Sequence, residues 1–183
     1  MRRTLMGIEL LLKAAHFAAE KHKNQRRKDA QATPYINHPL TLAYILSNEA
    51  GITDPTTLVA AVLHDTIEDT ETTEAELEHH FGLDVAGIVK ELTDDKTLPK
   101  LERKMLQIKN GPKKSYKAKL VKFADKIANL RDIATHPPQD WSLARQQEYF
   151  DWAMEVIKAM GETHSSLELL FKEAYELKPT QRN

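Results

Sequence analysis

The feature that most constrains the fold is a hydrophobic period of 3.6 residues that recurs along nearly the whole chain. The N-terminal segment GIELLLKAAHFAAEKH shows it first, and residues 115–133 repeat it with Leu120, Ala124 and Ile127 on one stripe. We find no segment in which apolar and polar residues alternate as they do in a half-buried strand. We therefore predict an all-α protein, a bundle of about eight to ten helices.

Turn and capping residues divide the chain into these helices. Pro55 follows a capping Asp54, Gly51 ends the preceding helix, and Thr73 with Glu76 forms a capping box. The predicted helices lie at about 4–23, from after Pro39 to Gly51, from Pro55 through residue 69, from Thr73 to Gly82, and at about 84–92, 100–109, 115–133, 142–160 and 163–177.

Length and composition indicate one domain. The chain has 183 residues, 41% of them hydrophobic, and its composition does not shift along the sequence in a way that would mark two domains. We predict a single domain over residues 1–183, with a short polar tail at about 178–183.

The charge pattern narrows the classes of partner. The net charge of −1 argues against a nucleic-acid or membrane-surface binder. Residues 68–95 hold ten acidic side chains and one basic, whereas residues 96–126 hold eleven basic and two acidic. Beside a cleft, the basic segment would concentrate a polyanionic small molecule. The N-terminus reads as an ordinary helix and no apolar run reaches membrane-spanning length, so we expect a soluble, cytoplasmic protein.

The segment AAVLHDTIED at residues 60–69 places polar groups at the end of an apolar run. On a continuous helix, His64 and Glu68 are one turn apart, as are Asp65 and Asp69, so four polar side chains would share one surface. Buried charges are paired, neutralised or bound to a metal. A hydrogen-bonded core histidine beside solvated acids is the alternative explanation of this segment taken alone.

Two other segments favour a metal site. His38 follows TPYIN at a helix start, and Asp125 interrupts an apolar stripe, with Asn129 one turn further along the same face. The chain has no cysteine, so any metal must be held by nitrogen and oxygen. Together with His64 and Asp65, His38 and Asp125 would form a mixed nitrogen and oxygen shell that suits Mn²⁺, Fe²⁺ or Zn²⁺ better than Ca²⁺.

Four separated motifs carry a family resemblance. RRKDAQATPYINHP, HDTIEDT, LTDDKTLPKLERK and KLVKFADKIANLRD, in this order, resemble the hydrolase domain of the RelA/SpoT enzymes, within the HD-domain phosphohydrolases. The chain is most similar to the stand-alone small alarmone hydrolases called metazoan SpoT homologues, over about residues 8–175.

The resemblance implies an HD-domain helical bundle around a metal site. It also implies one Mn²⁺ ion and hydrolysis of the 3′-pyrophosphate of guanosine tetra- or pentaphosphate, which gives GDP or GTP and pyrophosphate. Glu68 and Asp69 would orient and deprotonate the attacking water. The metal ligands would be His38, His64, Asp65 and Asp125.

The resemblance also implies substrate contacts. Arg27 would pack against the guanine with Lys28 beside it, and Asn129 would lie near the ribose and the 3′-phosphate. The full-length RelA/SpoT enzymes continue into a synthetase domain. This sequence ends instead, so we expect hydrolysis only, by a monomer or small homo-oligomer.

Further candidates come from residue type and position. Arg145 and Tyr149 share a helix face and would close the far wall of the pocket, although a surface position is the alternative for Arg145. We expect Trp141 and Trp152 to be packing anchors, and His22 to be a surface or helix-end residue. The charge of the departing pyrophosphate requires cations, for which the candidates are Lys96, Lys100, Arg103, Lys104, and Lys122 or Lys126.

Two other functions stay open at this point. The chain could be an HD phosphohydrolase of another nucleotide, such as a nucleoside monophosphate or the 2′-phosphate of NADPH. It could also be a non-catalytic nucleotide sensor, but a sensor would not need the water-activating pair Glu68 and Asp69.

Overall fold

The computed structural model describes residues 2–181, with side chains from residue 7 onward, so the last two residues of the predicted polar tail lie outside the described part. Within it the protein is all-helical, which confirms the predicted class, and no strand is present among these residues. The helices are α1 Arg2–Lys21, α2 Asn37–Tyr44, α3 Pro55–Leu63, α4 Thr66–Asp69, α5 Glu74–Phe81, α6 Leu83–Leu92, α7 Lys100–Asn110, α8 Tyr116–Thr135, α9 Leu143–Met160 and α10 Ser165–Glu176.

Helices α3 and α8 form the centre of the core. Every residue of α3 from Thr57 to Leu63 is buried, because α1, α2, α6 and α8 pack around it. Helix α8 is buried along most of its length, including the predicted stripe from Leu120 to Leu130, and it contacts α2, α9 and α10 as well. Polar side chains on the buried faces of these two helices therefore face other helices, not bulk water.

Local sequence explains where several helices begin. Asp54 accepts a hydrogen bond from the Thr57 backbone N–H at 2.9 Å, as expected for a residue that caps a helix starting with proline. Thr73 caps α5 by accepting from the Glu76 N–H at 3.2 Å. The reciprocal half of the predicted capping box is not formed, because the Glu76 carboxylate pairs with Lys21 at 2.8 Å.

The second helix differs from its predicted start. It begins at Asn37, so Pro39 lies within the first turn, where its missing N–H has no partner to lose. The helix continues through a π-helical turn, Ile45–Glu49, before Gly51 adopts a positive φ of 72°. Arg131 of α8 holds Glu49 through two hydrogen bonds of 2.9 and 2.8 Å, which fixes this end of α2 against the core.

The prediction of one continuous helix from Pro55 through residue 69 is wrong. Helix α3 ends at Leu63, Asp65 has φ −103° and ψ 2°, and α4 is a separate single turn. The Thr66 hydroxyl donates to the Leu63 carbonyl at 2.7 Å and satisfies one of the carbonyls freed by the break. His64 and Asp65 thus lie at a corner between two helices, and the stacking predicted for a continuous helix does not apply.

None of the helices in the described part combines the length and the apolar character required to span a bilayer.

Candidate metal centre and active site

The four predicted metal ligands come together from three separate segments. His38 lies in the first turn of α2, His64 and Asp65 lie at the α3–α4 corner, and Asp125 lies in the middle of α8. The distance from His64 Nε2 to Asp65 Oδ2 is 2.9 Å, and that from His38 Nε2 to Asp125 Oδ1 is 3.3 Å. One ligand atom each from His38, His64 and Asp65 can be chosen so that all lie within 4.8 Å of one another.

The hydrogen bonding of His64 fits metal binding. His64 Nδ1 is 2.9 Å from the Ala61 carbonyl and donates to it, so Nε2 carries the lone pair. His64 Nε2 is buried and lies 2.9 Å from Asp65 Oδ2, but it forms no hydrogen bond of regular geometry among the described residues. Histidine ligands commonly donate their other ring N–H to a backbone carbonyl in this way. Two imidazoles and two carboxylates in one buried cluster are a donor set for a divalent metal ion.

The carboxylates of this cluster stay ionised. Burial raises the pKa of Asp125, but Lys126 at 3.2 Å, His38, and Lys122 at 4.0 Å outweigh burial and hold it well below its ordinary value. Burial also raises the pKa of Asp65, and His64 more than reverses this effect. Both carboxylates are therefore available as anionic ligands.

The two histidines respond differently to their surroundings. Burial lowers the pKa of His38 and keeps it neutral, the form that binds a metal. Burial also lowers the pKa of His64, but the Asp65 carboxylate raises it to a net value above the ordinary one. Protons therefore compete with a metal ion at His64 more strongly than at His38.

Tyr35 is a site residue that the sequence analysis did not identify. Its hydroxyl donates a hydrogen bond to Asp65 Oδ2. Burial and the nearby Asp65 raise the pKa of Tyr35, so the phenol keeps its proton and remains a donor. The only signal in the sequence was its position in TPYIN, three residues before His38.

Glu68 and Asp69 lie together on α4, and their side chains have different partners. Glu68 accepts from the Asp94 backbone N–H at 3.0 Å, and Arg103 lies 4.0 Å from its other oxygen. Burial raises the pKa of Glu68, as suits a general base that must exchange protons with water.

The partners of Asp69 come from two loops, the one after α1 and the one before α7. One of its oxygens accepts from Gln25 Nε2 at 2.8 Å, and the other pairs with Lys96. Lys96, predicted to stabilise pyrophosphate, thus contacts a carboxylate at the edge of the site. The two carboxylates lie close to the metal cluster: the charge of Asp65 adds to the raised pKa of Glu68, and the charge of Asp69 adds to the raised pKa of Tyr35.

The predicted substrate residues line two adjoining cavities. The first, of about 630 Å³, includes His38 and Asp69 in its wall. The second, of about 530 Å³, lies over α7 and α9. Tyr149 and Trp141 belong to both walls. Arg27, Lys28 and Asn129 line the first cavity; Lys100, Lys104 and Arg145 line the second.

Two predicted residues of the first cavity are linked to each other. Asn129 Nδ2 donates to Asp125 Oδ1 at 2.6 Å, and its carbonyl accepts from Arg27 at 3.2 Å. Arg27 also forms an ion pair with Asp132 at 2.6 Å. A line of contacts therefore runs from the metal cluster through Asn129 to the outer wall.

The cations of the second cavity have aromatic neighbours. Arg145 lies 4.6 Å above the Trp141 ring and 3.6 Å from Asp140, so it is at the cavity wall despite its partial exposure. Lys126 lies 4.1 Å above the Trp152 ring while it also pairs with Asp125. Trp141 and Trp152 were expected to be packing anchors only, but both line this cavity.

His22 directly follows α1, as expected for a helix-end residue, but it does not lie at the surface. Only 2% of its surface is exposed, because Tyr35 and the loop after α1 cover it.

Comparison with known proteins identifies the family. A model of the HD domain matches residues 14–151. The chain belongs to the HD-domain family. It is 63% identical over 159 residues to the guanosine-3′,5′-bis(diphosphate) 3′-pyrophosphohydrolase MESH1 of Xenopus tropicalis, covering 87% of this chain and 89% of the relative. The human MESH1 is 57% identical over 173 residues, or 93% of this chain and 97% of the relative.

A solved HD-domain structure has the same fold. It is described as a metazoan ortholog of SpoT that hydrolyses ppGpp and plays a role in starvation responses. The two structures align with a TM-score of 0.88 at 47% identity, over 91% of this chain and 94% of the other. The resemblance to the metazoan SpoT homologues drawn from the four motifs is thereby confirmed.

Proposed function

We propose that this protein hydrolyses the 3′-pyrophosphate of guanosine tetra- or pentaphosphate and releases pyrophosphate with GDP or GTP. The observation that carries the proposal is the meeting of two histidines and two aspartates beside a carboxylate pair, next to the second cavity, whose charged lining is mostly cationic. The names and the identity of the HD-domain relatives support the same reaction.

A single Mn²⁺ ion is the proposed cofactor, with His38, His64, Asp65 and Asp125 as its ligands. When bound, such an ion lowers the pKa of water and polarises a phosphoryl oxygen. Tyr35 and Asn129 orient the two aspartates through hydrogen bonds, so the carboxylates keep one geometry during turnover.

The carboxylates of α4 supply the proton transfer. The water oxygen attacks the phosphorus bonded to the ribose O3′, the O3′–P bond breaks, and O3′ takes up a proton from solvent water. Glu68 accepts the proton of the attacking water and returns it to solvent, because its burial and raised pKa suit a base that gains and loses a proton in every cycle. Asp69 orients the attacking water. Gln25 and Lys96 each hold one oxygen of the Asp69 carboxylate.

The two cavities divide the binding of the substrate. In the first, Arg27 and Lys28 contact the guanine and Asn129 the ribose and 3′-phosphate. In the second, Lys100, Lys104 and Arg145 compensate phosphate charge, and Tyr149 closes the wall between the two cavities. Burial raises the pKa of Tyr149 well above its ordinary value, so its hydroxyl remains a donor.

The proposal includes the molecular context. Residues 1–183 act as a single domain with a polar tail, as a monomer or small homo-oligomer in the cytoplasm. Size-exclusion chromatography with light scattering tests the oligomeric state, and cell fractionation tests the location.

The test of the reaction is release of pyrophosphate from guanosine tetraphosphate by the purified protein, with and without a chelator. We expect release with Mn²⁺ and none with the chelator. A parallel assay with NADPH and nucleoside monophosphates distinguishes the other phosphohydrolases. Phosphate from those nucleotides, with no pyrophosphate from guanosine tetraphosphate, contradicts the proposal. No turnover of any nucleotide after metal loading identifies a sensor.

A further inference from the structure

A buried histidine lies behind the carboxylates of the site without being one of the proposed ligands. His22 is 2% exposed, and its ring packs on the Tyr35 ring with centroids 4.8 Å apart. Its Nδ1 lies 2.6 Å from Gln25 Oε1, while its Nε2 has no hydrogen-bond partner among the described residues. An apolar ring would fill the same space without burying an unpaired nitrogen, so packing alone does not account for an imidazole here.

The direction of each hydrogen bond follows from the chemistry of the acceptor. The Asp69 carboxylate, which also pairs with Lys96, accepts and does not donate. Gln25 must therefore turn its amide nitrogen towards Asp69, and its carbonyl oxygen then faces His22. A carbonyl oxygen only accepts, so His22 Nδ1 carries the hydrogen and donates it.

His22 thus supports both sides of the site at once. Through Gln25, His22 fixes one oxygen of Asp69. Its ring also packs against Tyr35, whose hydroxyl donates a hydrogen bond to Asp65. The other oxygen of Asp69 is held by Lys96, an exposed side chain whose ion pair is weakened by solvent. The hydrogen bond from Gln25, which the buried His22 holds in place, is the firmer of the two constraints on Asp69.

We propose that His22 and Gln25 are positioning residues that hold the Asp69 carboxylate in the orientation needed for catalysis. This inference rests on the proposed function, because Asp69 is a water-orienting group only if the chain is a hydrolase. His22 touches neither substrate nor metal and acts through Gln25.

The experiment compares three variants with the wild type in Mn²⁺-dependent release of pyrophosphate from guanosine tetraphosphate. His22→Phe keeps a ring against Tyr35 but removes the donor, and Gln25→Ala removes the link to Asp69. We expect each to lower kcat about 10-fold, with KM within about twofold, as for other groups that orient a site from outside it. His22→Asn returns an N–H near Nδ1, and we expect it to restore kcat to within about threefold of the wild type.

The matched control is Asn24→Ala, an exposed position in the same loop, which should leave kcat, KM and the melting temperature unchanged. Wild-type kcat in both His22→Phe and Gln25→Ala overturns the inference. So does a loss in His22→Asn as large as that in His22→Phe, since an N–H donor to Gln25 would then not restore the rate. If His22→Phe does not fold, the kcat of Gln25→Ala still tests the inference, because Gln25 is partly exposed and its replacement should not prevent folding.

A measurement without turnover separates this inference from the proposed reaction. In nitrogen-15 spectra, the side-chain amide of Gln25 is identified as the pair of signals missing from Gln25→Ala. We expect its hydrogen exchange to be about 10-fold slower than that of exposed glutamines, and to speed up in His22→Phe and in Asp69→Ala. Equal exchange in all three proteins overturns the inference even if the enzyme is active. An inactive wild type with the expected exchange pattern refutes only the reaction.

Discussion

The buried centre and the outer wall of the site are built differently. The centre takes His38, His64, Asp65 and Asp125 from helices packed into the core. The outer wall consists of the loops 23–34 and 93–99, of α7, and of the first residues of α9, which include Arg145; none of these residues is buried. Core packing fixes the geometry that metal chemistry requires, whereas an exposed cationic wall can adapt to a flexible, highly charged substrate.

The largest effect is expected when a proposed metal ligand is removed from the buried centre. Asp65→Ala should abolish metal binding and turnover together, because it deletes one of the four proposed ligands and the acceptor of the Tyr35 hydroxyl. Metal content by elemental analysis and pyrophosphate release measure the two effects. Asp84→Ala, an exposed acid on α6, is the control and should keep both.

Asp125→Ala should also abolish both properties, with an added loss of stability. Lys122 and Lys126 are buried around this carboxylate and would be left without it. Retention of a full metal equivalent by either variant would contradict the assignment of the ligands.

The next test concerns the boundary between centre and wall. Glu68→Gln keeps an oxygen to accept from the Asp94 N–H but cannot take a proton, so metal content should stay at the wild-type level. We expect kcat to fall about 10²- to 10⁴-fold, the usual contribution of a general base. An unchanged rate would show that Glu68 is not the base and would shift that role to Asp69.

A smaller effect is expected in the outer wall. Lys100→Ala and Arg145→Ala should each raise KM about 10-fold and change kcat little, because each removes one charge-assisted contact of roughly 1.5 kcal/mol. Lys109→Ala, on the exposed side of α7, the helix that also carries Lys100, should leave KM unchanged. A fall in kcat without a change in KM would place these cations in the chemical step instead.

The smallest effect concerns a lysine near the buried centre that donates to a carbonyl and not to a carboxylate. Burial, with Lys122 nearby, lowers the pKa of Lys114 to about 8, and its ammonium donates to the Glu91 carbonyl. The unfolded chain keeps the ordinary pKa of 10.5, so between pH 8 and 10.5 it binds more protons than the folded state. Stability from this group therefore rises with pH in that window.

Lys114→Met should remove that pH dependence. We expect the free energy of unfolding of the wild type to gain about 1 kcal/mol relative to Lys114→Met across the window, after discounting the shift for partial exposure. Urea unfolding at pH 7.5 and 9.5 measures it. Lys113→Met, an exposed neighbour, should show the wild-type pH dependence. If the free energy of unfolding of Lys114→Met depended on pH as that of the wild type does, the lowered pKa of Lys114 would be contradicted.

Sequence reasoning was most effective for the buried centre. An acid such as Asp125 on an apolar stripe, or a histidine after the run that ends at Leu63, has few explanations other than pairing or a metal, so residue type and period sufficed. Both histidines and Asp125 are indeed buried, and Asp65 lies beside them at the corner.

Sequence reasoning was weaker for the corner and the wall. HDTIED contains neither glycine nor proline, so local propensity did not indicate the helix end at Leu63. The partners of Glu68 and Asp69 come from loops 26 and 44 residues away in sequence, a proximity that only tertiary folding creates. For the same reason His22 resembled any polar residue at a helix end, although the fold buries it against Tyr35.

The most direct test of the account is a crystal structure of the Mn²⁺-loaded protein with anomalous data collected at the manganese edge. The account predicts one anomalous peak per chain, within bonding distance of His38, His64, Asp65 and Asp125, and no peak at this position in Asp65→Ala. A manganese peak bound by other residues in the wild type, or no peak at these four side chains, would contradict it.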